Sequence, residues 1–204
     1  MRLNVSPNRM EVLRLRKRLL LARRGHKLLR DKQEELMRRF LELVVENKNL
    51  RDDVEERLRK GYQNLLFARA MMFADTIESL LSFTTRKADV TVSLTPLMNL
   101  RLPQLHLSQE GEVSCYGFAE TSGELDAAIS VFSETLPLMV KLSQIERWIE
   151  LMAQEIETTR RRVNALEYIL IPSLDETIRY ITMKLSERER GDITRLMKVK
   201  EIVR

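Results

Sequence analysis

The sequence predicts an all-α-dominated fold: a long antiparallel two-helix coiled coil formed by the N- and C-terminal helices, with a small central β-hairpin and short-helix region. Three observations point there. Gly and Pro are scarce, 6 and 5 in 204 residues, which leaves long stretches without a helix breaker. Aromatic residues make up 5% and charged residues 32%, a balance rich in Leu, Arg, Glu and Lys that suits helices better than sheets. Apolar residues recur at steps of three and four towards both ends, whereas the middle alternates.

The first helix is expected to open at Ser6, a good N-cap, with Pro7 at the first helical position, where its missing N–H costs nothing. No other proline occurs before Pro96. An apolar stripe runs through Met10, Leu13, Leu20, Leu28, Leu36, Phe40, Leu43, Asn47, Leu50, Val54, Leu58, Leu65, Ala68, Met72 and Leu80. From Leu36 to Val54 the steps are four, three, four, three, four, the seam spacing of a coiled coil. One continuous helix over 7–81 would measure about 110 Å at 1.5 Å per residue. Gly25 and Gly61 inside it each cost about 1 kcal/mol relative to Ala. Close approach of an opposing helix or a partner would account for them.

The second helix is placed over 121–200. Thr121 and Glu124 have the spacing of a capping box, and Pro137 is expected to kink or restart the helix. Beyond it a stripe runs through Val140, Trp148, Met152, Ile156, Thr159, Val163, Leu166, Leu170, Leu174, Thr177 and Ile181. Steps of four outnumber steps of three, nearer an eleven-residue repeat than a heptad. Pro172 falls inside this stripe. A proline in a helix interior costs about 3 kcal/mol and removes a backbone hydrogen bond, so the facing helix is expected to hold this segment.

Residues 83–120 read differently. Strands are expected near 90–94 or 105–107 and near 113–116, around the Gly-bearing turn Gln109-Glu-Gly-Glu. Two helices with one apolar stripe each bury it by folding back at this point and pairing antiparallel. The whole chain, 1–204, is then one elongated domain. With the fold-back near residue 101, residues 24–32 should face 172–180.

The net charge of +5 is unevenly placed. Bases dominate from Met1 to Arg39, opposed only by Glu11, Asp31, Glu34 and Glu35. Over 105–157 the only bases are Lys141 and Arg147, among a majority of Asp and Glu. Its acidic, apolar portion over 121–148 reads as a surface that wants a partner. A basic end suits nucleic acid, an acidic protein surface or anionic lipid. A basic coiled coil that binds nucleic acid, or serves as a scaffold, is the competing reading. Against it, the bases interleave with seam positions and no base-reading motif is present. A single Cys115 excludes an intramolecular disulfide framework. No apolar run approaches the roughly 20 residues of a membrane span, and the N-terminus lacks the apolar core of a signal peptide, so no direct membrane insertion is expected.

Catalytic constellations are hard to find. His26 and His106 are the only histidines and lack metal-ligand spacing. No phosphate-binding glycine loop occurs. Glu34-Glu35 and Glu55-Glu56 lie in Arg-rich helical stretches and read as solvated charge. No catalytic residue, cofactor or metal is expected. Arg160, Arg161 and Arg162 cover about 200° of helix circumference, so at least one must face a partner or water.

Three stretches carry a family resemblance: Ser6-Pro-Asn-Arg-Met, Arg24-Gly-His-Lys-Leu-Leu-Arg-Asp-Lys, and Arg160-Arg-Arg-Val-Asn-Ala-Leu-Glu-Tyr-Ile-Leu-Ile-Pro-Ser-Leu. In order, spacing and length the chain resembles the D subunit of the V-type and archaeal-type (A-type) rotary ATPases. The resemblance implies a non-catalytic central-stalk rotor axle. Its paired termini would enter the ring of alternating A and B subunits, which holds the catalytic ATP sites. Its middle would bind the small F subunit and the socket subunit on the membrane rotor. It would transmit torque and couple ATP synthesis or hydrolysis to H⁺ or Na⁺ transport, from the cytoplasmic side of a prokaryotic plasma membrane. Partner contacts are expected at Arg9, Arg16, Arg160, Arg161 and Arg162.

Overall fold

The structure, a computed structural model, describes residues 3, 5–82, 86–111 and 121–203. Helix α1 covers Arg9–Met71 and α2 covers Ala74–Ser82. Strands β1, Lys87–Leu97, and β2, Leu100–Glu110, form an antiparallel hairpin. Helix α3 covers Gly123–Asn164, a π-turn covers Ala165–Leu170, and α4 covers Ile171–Val203. The expected class of fold, two long helical arms around a small hairpin, is the one observed.

At 63 residues α1 is more than five times the mean helix of about 11 residues. Its first hydrogen bond runs from the Val12 N–H to the Asn8 carbonyl, 3.2 Å, so Asn8 occupies the cap position expected of Ser6. The expected helix over 7–81 is interrupted at Met72 and Phe73, where the sequence carries neither Gly nor Pro. The Met72 N–H closes α1 on Ala68, and the Phe73 carbonyl opens α2 by accepting from Thr76 and Ile77. Helix α3 starts at Gly123, with the Leu125 N–H on the Ser122 carbonyl, and passes through Pro137 without a restart.

The hairpin turns two residues wide at Met98-Asn99, both with positive φ, 46° and 74°. That is the backbone a tight hairpin needs, because its twist matches that of the flanking strands. Leu97 pairs with Leu100 beside the turn, and the ladder runs to Lys87 opposite Glu110. The expected turn at 109–112 is thus corrected. A glycine advertised a turn there, whereas Met98 gives no sign that it adopts positive φ. The strand expected at 113–116, with Cys115, lies outside the described residues.

The chain forms two compact units, residues 1–37 with 156–204, and residues 38–155. In the first, α1 and α4 run antiparallel: Arg9 pairs with Glu189 and Arg23 with Asp175. The core joins Val12, Leu15 and Ala22 to Leu174 and Ile181. Fully burying a Leu or Ile stabilises by roughly 1.5–3 kcal/mol, so these few layers carry much of the pairing. Along α3 and α4, the predicted seam residues Met152, Ile156, Thr159, Val163, Leu174, Thr177 and Ile181 are all buried. Near the N-terminus the predicted seam is out of phase. Met10, Leu13, Leu20 and Leu28 are exposed, and Val12, Leu15 and Ala22 take their place. Leucines surround that part of the helix, so its period alone does not select a face. The pairing register lies a few residues from the expected centre at Arg23–Asp175 and further from it at His26–Glu167. The fold-back lies at Met98-Asn99.

In the second unit α1 and α3 also run antiparallel, with Glu46 on Lys141 and Arg57 on Glu134. Val54, Ala68, Ile77, Leu102, Leu125, Ala128 and Ile145 are buried. A Cβ on Gly61 would lie 2.9 Å from the Phe132 ring, so here a glycine does mark close approach. Gly25 has open space around its missing Cβ, and the same expectation fails there.

Candidate partner-binding surfaces

Helix α3 holds the hairpin through two side chains one turn apart. The Trp148 indole N–H donates to the Pro103 carbonyl, 2.5 Å, and the Leu105 N–H donates to Gln144 Oε1, 2.8 Å. Both backbone groups belong to β2 and point away from β1. Pro103 has no N–H to leave unpaired on that edge. At the hairpin's open end Arg86 donates to Ser133 Oγ on α3 and to Gln109 Oε1 on β2. Sequence reasoning singled out none of Arg86, Gln144 and Trp148 for this job. A lone tryptophan on an apolar stripe reads as core, and only the fold shows its N–H reaching a strand edge.

Between the hairpin tip and the two helices lies a cleft of about 490 Å³, lined by Leu43, Leu97, Leu102, Trp148 and Met152, with Arg38, Arg39, Glu42 and Glu46. Two arginines balance two glutamates there, so the lining is formally neutral. Among the described residues no three His, Cys, Asp or Glu side chains are grouped to hold a metal ion. His26 faces Glu167 at 3.4 Å, and His106 sits on the hairpin with its ring 3.1 Å from Ser93 Oγ.

Two titrating groups are displaced by neighbours. A hydrogen bond from Lys60, 2.7 Å away, holds the Glu56 carboxyl below its ordinary value. A hydrogen bond to Glu187 raises the Lys184 ammonium. Both are exposed pairs on a helix face, the setting of surface charge rather than of acid–base chemistry.

The five arginines marked from the sequence all belong to the first unit. Arg9 is exposed and paired with Glu189. Arg16 is exposed on α1. Arg160, Arg161 and Arg162 are all exposed between the buried Thr159 and Val163, and Arg161 pairs with Glu157 one turn back. The seam passes on the other side of the helix, so the whole triplet faces outward.

Exposed apolar side chains concentrate in three segments. Tyr62, Leu66, Phe67 and Met71 are exposed on the last turns of α1, and Phe73, just beyond it, is 86% exposed. Val90, Val92 and Leu94 are exposed on β1. Ile193, Leu196, Met197, Ile202 and Val203 are exposed at the end of α4. Exposed apolar side chains concentrated in one segment direct attention to protein contact. The start of α3 turns Leu125, Ala128, Thr135 and Ile145 inward and leaves Met139 exposed.

The profile of the family described as the D subunit of ATP synthase matches residues 11–201, nearly the whole chain. The chain belongs to this family. Its relatives match end to end. The V-type ATP synthase D subunit of Acetivibrio thermocellus is 53% identical over 205 residues, covering 98% of this chain and 92% of the relative. The protein of the same description from Thermoanaerobacter sp. is 49% identical, covering 98% and 97%. That from Clostridium novyi is 48% identical, covering 99% and 96%. Within this family the exposed apolar patches direct attention to contacts with other proteins. Among the described residues no helix is long and apolar enough to cross a membrane.

Proposed function

We propose that this member of the D-subunit family is the non-catalytic central-stalk shaft of a V/A-type ATPase or ATP synthase. It transmits torque between the ring of catalytic A and B subunits and the membrane rotor, and so couples ATP synthesis or hydrolysis to H⁺ or Na⁺ transport. The observation that carries this reading is the end-to-end match to proteins described as the D subunit of V-type ATP synthase. The paired antiparallel helices support it. Twisting such a pair deforms two backbones together, which a single helix cannot require.

The first unit holds both termini and the five exposed arginines, and it is the portion assigned to the ring. The second unit holds the middle of the chain, with the apolar run over 62–73, and it is assigned to the F subunit and the socket subunit. The complex would lie on the cytoplasmic face of a prokaryotic plasma membrane, with this chain peripheral to it.

Stoichiometry tests the assignment. Native mass spectrometry of the complex purified through this chain should show one copy with three A and three B chains. A free protein that shifts nucleic acid on a gel would sink the reading and favour the basic scaffold. The arginine contacts have a separate test. Reversing Arg9, Arg16 and Arg161 to Glu should lower ion transport per ATP turned over several-fold in reconstituted vesicles. Each exposed ion pair lost in the process is worth only about 0–1 kcal/mol, so folding should survive. Unchanged coupling would remove the arginines from the contact.

A further inference from the structure

The α3–α4 helix widens at 165–170, immediately before Pro172. Backbone geometry is regular on either side, with φ −61° and ψ −41° at Asn164 and φ −61° and ψ −49° at Ile171. Yet the Ile171 N–H donates to the Leu166 carbonyl, five residues back instead of four. A turn closed this way holds one residue more than an α-turn. Pro172 explains its place. In unbroken α-helix the proline ring would press on the carbonyl four residues back, that of Tyr168, and could donate no hydrogen bond to it. The wide turn moves that carbonyl out of line. No residue of the π-turn is fully buried: Tyr168 and Ile169 are 71% and 64% exposed, and Leu170 packs against the edge of the core.

The packing on either side is tight. Thr159 and Val163 are buried before the wide turn, and Ser173, Leu174, Thr177 and Ile181 after it. Ser173 Oγ donates to the Leu170 carbonyl, 2.9 Å, and Thr177 Oγ1 to the Ser173 carbonyl, 2.6 Å, which ties the start of α4 to itself. From α1, Arg23 holds Asp175 after the wide turn, and His26 meets Glu167 within it. The surplus residue is therefore confined between two anchored stretches.

We propose that residues 165–170 are a pinned slack element, one surplus residue that Pro172 prevents from relaxing into α-helix, so that within the packed stretch 157–181 the helix opens first here. The device is independent of which machine the chain serves. It makes the wide turn the compliant point of the packed stretch 157–181.

Hydrogen exchange on the full chain, read by mass spectrometry, tests the proposal. Amides over 167–173 should exchange at least about tenfold faster than those over 157–163 and 174–181, since exchange follows local opening. Deleting Ile169 alone should lower Tm, because it forces Pro172 into α geometry. Combining that deletion with Pro172→Ala should raise Tm above the parent and bring the segment's exchange down to that of its flanks. Equal exchange across the three segments in the parent would overturn the proposal. So would an Ile169 deletion that leaves Tm unchanged. A double variant whose helical circular dichroism is lost would show that the residue is not surplus, with the same consequence.

Discussion

Gly61 and Thr159 show what single positions cost. At Gly61 a methyl group would come within 2.9 Å of the Phe132 ring, whose edge meets Tyr62 at a centroid distance of 5.4 Å. Gly61→Ala removes a helix-propensity cost of about 1 kcal/mol but overpacks the contact by about 1–3 kcal/mol. The net should be destabilising, read as a lower denaturant midpoint. Gly25→Ala, with nothing near its Cβ, should stabilise and serve as the control. Thr159 is fully buried with no hydrogen-bond partner for its hydroxyl. A buried hydroxyl left unsatisfied costs about 1–3 kcal/mol. Thr159→Val should therefore raise stability by about 1 kcal/mol in urea unfolding, and a loss would mean that the hydroxyl has a partner. The sequence placed both residues on the right helices. It could not tell Gly61 from Gly25, because the difference lies in which side chain stands opposite.

Element boundaries divide by the kind of signal that sets them. The long seam from Leu36 onward and the seam of α3 and α4 were legible, because burial repeats every three to four residues over many turns. The hairpin was legible as alternation and illegible in its turn, since Met98-Asn99 carries no glycine. The break at Met72-Phe73 likewise has no breaker residue. Pro172 was visible at once, but the π-turn that accommodates it was not, because local sequence does not state which carbonyl an N–H will choose. The hairpin's attachment is testable at this scale. Trp148→Phe keeps an aromatic ring and removes the N–H that Pro103 accepts. The loss should be about 0.5–1.5 kcal/mol, seen as faster exchange of hairpin amides with the first unit's amides unchanged. Unchanged hairpin exchange would mean that packing alone holds β2.

For the whole molecule, the balance of apolar surface matters most. A chain with Tyr62, Leu66, Phe67, Met71 and Phe73 exposed in succession carries a surface that a partner would cover. Hydroxyl-radical footprinting should find Tyr62, Met71 and Phe73 several-fold less reactive in the assembled complex than in the free chain. Equal reactivity would remove that run from any interface. The exposed ion pairs add little to stability and instead keep the outer helix faces soluble.

By itself the sequence determined the class of fold, its two helical arms, most of the seam, the family and that at least one arginine of the 160–162 triplet faces outward. These follow from periodicity and local composition, which act along one chain direction. Only the tertiary structure decided the seam near the N-terminus, the register of the helices, the hairpin's turn and its fastening by Gln144 and Trp148, and the π-turn before Pro172. Each of these depends on which groups meet across space. Where leucines surround a helix, or where a proline can be met in more than one way, the facing helix makes the choice.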